Sequence, residues 1–462
     1  MTFTIIDTTA ATDVIKPKDV INNKKHVLLC GTHINQYNGY SKVVYELAKR
    51  MATMEDIKLT LFGFQNFSTG KTHRQLDNVE IIDALQMEAS RGIKKQGFGE
   101  DIIASLIKER DFDIVVIYND MSITSMLCDA IVKDWDEEDK KIAAGQPNTK
   151  LKRVKLVSYI DQVYMHQKPR FIQILKDRFK GIIAFTDYWK EVLVEQLKYT
   201  PDETLIKNMA VVTHGFETSM HFPIAKRVAR HYFGIPQEAF VVLNLNRNQP
   251  RKRWDVCMVA FAEVVKLHQD YIQSSKEAKD DKEIKDIRFV IGTTMNGCWD
   301  LWEIFEREVR KRNINTDVAK AYLIGLAQPQ GLTDRDINII YNGADIGINT
   351  CDGEGLGLCQ LEQMGIGVPQ VVPNIGGFKD FCRPDNSLQV EPKWSYYVDS
   401  SRDAIGGETQ VSDPMDFAKA IFEYYMNPEL VKTHGENGRK HVIQNHQWDR
   451  LADTFADFMR EI

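Results

Sequence analysis

Short runs of β-branched and aliphatic residues recur along the chain, each followed by a stretch where apolar residues return every three or four positions. The runs are HVLLC from 26, IKLTLFGF from 57, DIVVIY from 113, VKLVSYI from 154, GIIAF from 181 and MAVVTHG from 209. Near-continuous apolar runs predict strands buried on both faces, and the helical stretches between them predict crossovers. The first part of the chain therefore reads as a parallel sheet covered by helices. Past residue 220 the pattern starts again, with AFVVLNLN from 239, IRFVIGTT from 287, KAYLIGL from 320, ADIGINT from 344 and VPQVVPN from 368.

The expected architecture is α/β: two Rossmann-like parallel-sheet domains, 1–220 and 221–445, and a terminal helix, 446–462. The join is placed near HGFETSMHFP, where a strand runs into Gly215 and Pro223. The ending carries Trp448, Leu451, Phe455 and Phe458 at helical spacing and needs a surface to cover. Two charge-rich stretches, KDWDEEDKK from 133 and SSKEAKDDKEIKD from 274, read as solvated insertions inside the domains. Doubly wound sheets bind ligands beyond the carboxyl ends of their strands, so two facing each other make one deep cleft.

Composition narrows the class. The chain has 462 residues, 43% of them hydrophobic, enough for sizeable cores. Lys and Arg total 59 against 65 Asp and Glu, a net charge of −6, which gives no overall attraction to nucleic acid. Cysteines 30, 128, 257, 298, 351, 359 and 382 form no Cys-x-x-Cys pair, which suggests reduced thiols rather than disulfides or a metal cluster. The first residues show no basic segment followed by an apolar one, and no apolar run has the length of a membrane span. The expectation is a soluble, cytoplasmic protein. Asn66 fits a glycosylation tripeptide, a pattern that arises often by chance.

The chemistry concentrates in CDGEGLGLCQLEQMGIGVP, residues 351–369. A strand should deliver this turn at its carboxyl end, with a helix following. Gly355 and Gly357, around Leu356, would let the backbone approach a ligand, and the free amides of a helix start favour phosphate. Glu354 precedes the turn and Glu362 lies about two turns along, roughly 9–12 Å away, too far to share a proton. Carboxylates accept from hydroxyls and repel phosphates, so a ligand spanning both would carry hydroxyls at its ends and phosphates between. A nucleotide sugar has that layout. The plainer reading is an acid that favours the helix dipole plus an acid on a solvated face. Arg247 and Lys252, just after the first strand of the second domain, are placed to neutralise a diphosphate without a metal; a solvated basic loop is the alternative. In the first domain, Asn38 and Gly39, both tolerant of positive φ, precede a helix with Val43, Val44, Leu47 and Met51 on one face. That helix start faces the cleft from the opposite wall, or is a plain strand–turn–helix link.

Together these residues resemble the GT-B glycosyltransferases, specifically glycosyltransferase family four, over about residues 25 to 460. The densest match is EGLGLCQLEQMGIGVP with Arg247 and Lys252 upstream and NIGGFKDF downstream. The resemblance implies that Glu354 contacts donor-sugar hydroxyls, Glu362 holds the ribose, Arg247 and Lys252 clamp the diphosphate, and the final helix crosses back to the first domain. Asn38 then replaces the first glycine of a Gly-Gly turn, and Asp380 a glutamate. Many members carry a sugar-facing His after the strand represented here by KLVSYI; this chain has Ile160 and Asp161, so Asp161 is the expected substitute, with His166 behind it.

The implied activity is retaining transfer of a hexose-type sugar from a nucleoside diphosphate sugar to a glycan, lipid-linked or protein-linked acceptor, with no required metal or other cofactor. DFD at 111–113 looks like a metal motif, but its second Asp opens a strand, the wrong end for this sheet type. The stretch QKPRFIQILKDRFKG from 167 has basic residues among Phe171, Ile174, Leu175 and Phe179 and reads as an ordinary amphipathic helix or a weak membrane-surface contact. A sugar-nucleotide epimerase or a non-catalytic binding protein of the same fold are rival readings. An NAD-dependent oxidoreductase is another, though the spaced G-x-G-x-x-G fingerprint is missing.

Overall fold

The structure is a computed structural model and describes residues 24–67, 74–93, 96–146, 151, 153–199, 203–278 and 284–462. The N-terminal stretch read for a targeting signal lies outside them through residue 23. The first sheet has seven strands: β1 (Lys25–Thr32), β2 (Ile57–Phe64), β3 (Glu80–Asp83), β4 (Ile114–Asn119), β5 (Lys155–Ile160), β6 (Gly181–Ala184) and β7 (Met209–Val211), in the order β3-β2-β1-β4-β5-β6-β7. The second has six: β8 (Phe240–Asn244), β9 (Ile287–Ile291), β10 (Leu323–Gly325), β11 (Ile346–Ile348), β12 (Gln370–Pro373) and β13 (Ser387–Val390), in the order β10-β9-β8-β11-β12-β13. Every pairing within these two sheets is parallel.

Both orders reverse direction beside their first strand, between β1 and β4 and between β8 and β11. The adjoining loops splay to opposite faces there, which opens a crevice at the strand ends. An antiparallel hairpin, β14 (Pro392–Val398) and β15 (Gly407–Ser412), follows the second sheet and was not expected from the sequence. β14 buries almost none of its side chains, so it lacks the alternation that marks a strand. The short strands β3 and β13 were likewise missed.

The charge-rich stretch from 133 is not an insertion. It continues the 23-residue helix Met121–Ala143, because its acids find partners on neighbouring elements: Arg178 grips Asp136 at 2.7 and 2.9 Å and Lys108 pairs with Asp134. Of the stretch from 274, residues through Ala278 end the helix Trp254–Ala278, and 279–283 lie outside the described residues. Helix Pro169–Arg178 turns Phe171, Ile172 and Leu175 into the first-domain core.

Helix α1 (Gly39–Met51) begins at Asn38, whose side chain accepts from the Ser41 amide at 2.9 Å. Asn38 is extended, φ −153°, and Gly39 is not left-handed, so the expected need for positive φ at this turn is not met. The chain crosses between domains twice, and the crossings run side by side: the Phe216 amide donates to the His446 carbonyl at 2.7 Å. The indole of Trp448 lies so close to Gly215 that an added Cβ would sit 2.5 Å from it. Helix α2 (Leu358–Gly365) follows β11, and the final helix α3 (Trp448–Glu461) lies back on α1, where Arg50 pairs with Asp449 at 2.5 Å.

One hydrophobic cluster runs without a break from α1 and α3 across the first sheet to the second. Phe455, fully buried against Tyr159, joins the terminal helix to it. Phe455→Ala should cost about 3–5 kcal/mol through transfer and cavity terms. Urea unfolding measures this, and a loss below about 1 kcal/mol, the scale of an exposed substitution, would mean the terminal helix is not part of the core.

Candidate active site

The second-domain half of the site stands on the loops flanking the β8/β11 switch. After β8 the chain turns through Pro250–Lys252, and Arg253 takes the left-handed conformation at φ 47°. After β11 a buried amide network carries the chain to the glycine-rich turn. Asn349 accepts from the Cys351 amide at 2.9 Å and donates to Gln360 at 3.1 Å and to Glu354 Oε2 at 3.4 Å.

Gly357 is the N-cap of α2 at φ 96°, a conformation that strains any residue with a Cβ. It offers no side-chain cap, so the start of α2 presents bare amides and the positive end of its dipole. Leu356 is buried beneath Gly377, whose amide donates to the Glu354 carbonyl at 3.1 Å. Because α2 starts at Leu358, Glu362 lies little more than one turn in, not the two expected.

The structure brings Glu354 and Lys252 into direct contact, Nζ donating to Oε2. Arg251, which the sequence reading passed over, donates to the Gly353 carbonyl at 3.0 Å and lies 3.4 Å from Glu354 Oε1. Burial works to raise the Glu354 pKa, but Lys252 and Arg251 together outweigh it and bring it to about 2. The Arg247 carbonyl accepts from the Trp254 indole at 3.2 Å, but its side chain is exposed and makes no hydrogen bond or ion pair among the described residues. Desolvation by its surroundings, then the charge of Arg251, lowers its pKa. Glu354 is among the charges that act on it in the other direction. Two cations thus grip one carboxylate beside an uncapped helix start, with Arg247 on the same loop.

Glu362 is also saturated, by groups that no sequence pattern flagged. Lys42 of α1 donates to Oε1 at 2.6 Å, His221 Nε2 is 3.2 Å from the same oxygen, and the Tyr341 hydroxyl donates to Oε2 at 3.0 Å. Glu362 is only 3% exposed, yet Lys42 and His221 overcome burial and hold its pKa well below the ordinary carboxylate range. This pair ties the first domain to the second.

First-domain groups complete the cleft. Gly39 faces Leu358 at the start of α2, where a Cβ would meet its side chain at 3.4 Å. Asp161 accepts from the Tyr40 hydroxyl and lies against Gly355, where a Cβ would stand 1.9 Å from its Oδ1. The space left by that missing side chain is therefore filled by Asp161. Burial raises the Asp161 pKa, opposed chiefly by Arg251.

The indole of Trp189, from the first domain, donates to the Gly355 carbonyl at 2.8 Å and braces the turn. His166 is not behind Asp161: it takes φ 48° and lies 3.3 Å from Glu408 on the hairpin. Asp380 is turned away from the charge cluster, accepting from the Asp187 amide at 2.9 Å across the domain boundary. Asp113 of the DFD stretch accepts from the His26 amide at the opposite strand ends. Among the described residues, no helix is long and apolar enough to cross a membrane.

No family model matches the chain. Solved structures do match its fold. Sucrose-phosphate synthase from Thermosynechococcus elongatus superposes with TM-score 0.65 and 13% identity over 95% of this chain and 99% of that one. Anabaena HepE in complex with UDP and glucose gives TM-score 0.62 and 12% identity over 95% and 100%. The fold is GT-B. In sequence, the D-inositol 3-phosphate glycosyltransferase of Saccharomonospora viridis is 23% identical over 283 residues, 61% of this chain and 55% of its own length. A protein of that name from Catenulispora acidiphila is 24% identical over 281 residues, 61% and 56%. The chain thus spans little more than half the length of these relatives. In this GT-B cleft the charge cluster sits where the switch points of the two sheets face each other.

Breaking the buried Lys42–Glu362 pair from one side leaves an uncompensated charge, so Lys42→Met should destabilise by about 3–5 kcal/mol. Adding Glu362→Gln should restore part of that, and simple additivity in a double-mutant cycle would show that the two do not interact. Glu354 has a depressed folded pKa, so its stabilising contribution is complete above its ordinary 4.5 and is lost as pH falls toward about 2. Unfolding free energy should therefore fall less steeply across that window in Glu354→Gln than in the wild type; equal slopes would remove the assigned shift.

Proposed function

We propose that the chain is a retaining glycosyltransferase that moves a hexose-type sugar from a nucleoside diphosphate sugar to an acceptor hydroxyl, with no required metal. The observation that carries this reading is the pairing of Arg251 and Lys252 with Glu354 beside the uncapped start of α2, with the unpaired Arg247 side chain on the same loop. Relatives named as glycosyltransferases and a fold neighbour in complex with UDP-glucose support it.

A diphosphate placed against the α2 amides would meet the unpaired Arg247 first. Lys252 and Arg251, each paired with Glu354 in the ligand-free state, would then turn to it. Glu354 is then freed to accept hydrogen bonds from sugar hydroxyls. On the ribose side, Glu362 exchanges Lys42 for ribose hydroxyls while Tyr341 keeps its carboxylate oriented. Asp161, at the first-domain wall beside Gly355, faces the transferred sugar. In the step itself the bond from the anomeric carbon to the diphosphate breaks, the acceptor oxygen bonds to that carbon on the same face, and the acceptor's proton passes to an oxygen of the departing diphosphate. The cations and amides bind the negative charge that grows on the leaving group, the main source of acceleration when no strong acid or base is present.

Thermal shift against UDP, GDP and ADP identifies the base, since a ligand of the folded state raises its melting point. With the active donor, Arg247→Ala should lower turnover by about 10²–10³, the range for loss of one transition-state donor. Undiminished turnover, or equal transfer after removal of the three cations, would exclude the diphosphate clamp.

A further inference from the structure

Arg247 is a free arm on a fixed base. Its side chain is exposed and unpaired among the described residues, yet the backbone that carries it is tied on both sides. The Arg247 carbonyl accepts from the Gln249 amide at 2.9 Å and from the indole of the fully buried Trp254 at 3.2 Å. Before it, Asn246 is held to the end of β8, its backbone amide and its side chain donating to Asn244 Oδ1 at 3.2 and 2.8 Å. After it, Asn248 is held to a different element, the loop that follows β9.

Asn248 commits its side chain to that loop. Its backbone amide donates to Thr293 Oγ1 at 2.9 Å. The side chain donates to the Thr294 and Trp299 carbonyls at 3.1 and 2.8 Å and accepts from the Trp299 amide at 3.0 Å, so it pairs with Trp299 as a second backbone strand would. Asp has no donor to offer here, and Gln is one methylene too long. Gly297 leaves the room, since a Cβ there would stand 2.8 Å from the Asn248 side chain. The loop is itself anchored. Met295 packs against the second-domain core, its carbonyl accepts from the Leu301 amide at 2.9 Å, and helix Leu301–Lys311 begins at the side-chain cap Asp300.

We infer that Asn248 is a positioning residue, which fixes the backbone from which Arg247 reaches an incoming diphosphate. This rests on the transferase reading and adds a residue whose side chain is spent on protein rather than on ligand. An exposed arginine loses rotamer freedom when it grips an anion, and a mobile backbone beneath it would add to that cost. Asn248 removes the backbone part in advance and leaves the guanidinium free to turn.

The test uses the full chain and inorganic pyrophosphate, a probe independent of the base that the donor carries, with calorimetry reading affinity. The wild type should bind it, and Arg247→Ala should bind about tenfold or more weakly, as for loss of a charged hydrogen bond. Asn248→Ala should weaken binding by about five- to thirtyfold, the factor that ordering one residue's backbone implies. In the double variant the second change should add less than about twofold, because no arm is left to position. An asparagine that merely held the loop together would loosen Lys252 as well, and the double variant would then bind far more weakly than Arg247→Ala. Gly297→Ala displaces the same side chain from the opposite loop and takes the place of Asn248→Ala if that variant does not fold. Wild-type affinity in Asn248→Ala or its stand-in, or losses that add in the double variant, would overturn the positioning role and leave the clamp standing. Failure of the wild type to bind pyrophosphate, or undiminished binding by Arg247→Ala, would instead remove the diphosphate clamp, and the role with it.

Discussion

A set of cations can sit in a cleft shielded from water only if something neutralises them, and in this protein two glutamates do so. Glu354 gathers Lys252 and Arg251, and Glu362 gathers Lys42 with His221 beside it, all of them mostly or fully buried. Without these carboxylates the desolvated charges would repel one another and the α2 dipole beside them. The same pairings explain why acids flank a turn suited to an anion. They hold the cations in position in the ligand-free state, and an arriving diphosphate can take those cations over.

The Lys42–Glu362 pair forms because the two domains meet face to face. Lys42 and Glu362 belong to different domains, as do Asp161 and Gly355, Trp189 and the glycine-rich turn, and Asp380 and the helix it caps. A continuous apolar cluster and the doubled crossing at Phe216 and His446 hold that arrangement. Glycines at 355, 376 and 377 leave backbone against backbone or carboxylate where a Cβ would collide, so the turn is shaped by contacts from both sides. The hairpin adds a further tie to the first domain through Glu408 and Asp403.

Much of this was legible residue by residue. The long buried runs gave eleven of the strands, because a strand covered on both faces reads as an apolar run whatever its neighbours do. The strands β3, β13, β14 and β15 escaped because edge position, exposure or polar composition erases that signal. Within the site, Glu354, Lys252 and Gly357 could be picked out by their place at strand ends and at a helix start. Arg251 was hidden in a run of basic residues, where sequence does not say which side chain points inward.

Local order along the chain determined the two parallel sheets, the helix start at the glycine-rich turn and the types of residue placed around it, since periodicity, backbone freedom and charge are properties of short segments. Only the tertiary structure decided which charge meets which. Lys42 and Glu362 are 320 residues apart in the chain and 2.6 Å apart in space. Such a pairing depends on the closing of one domain on the other, and no segment carries a record of what will face it.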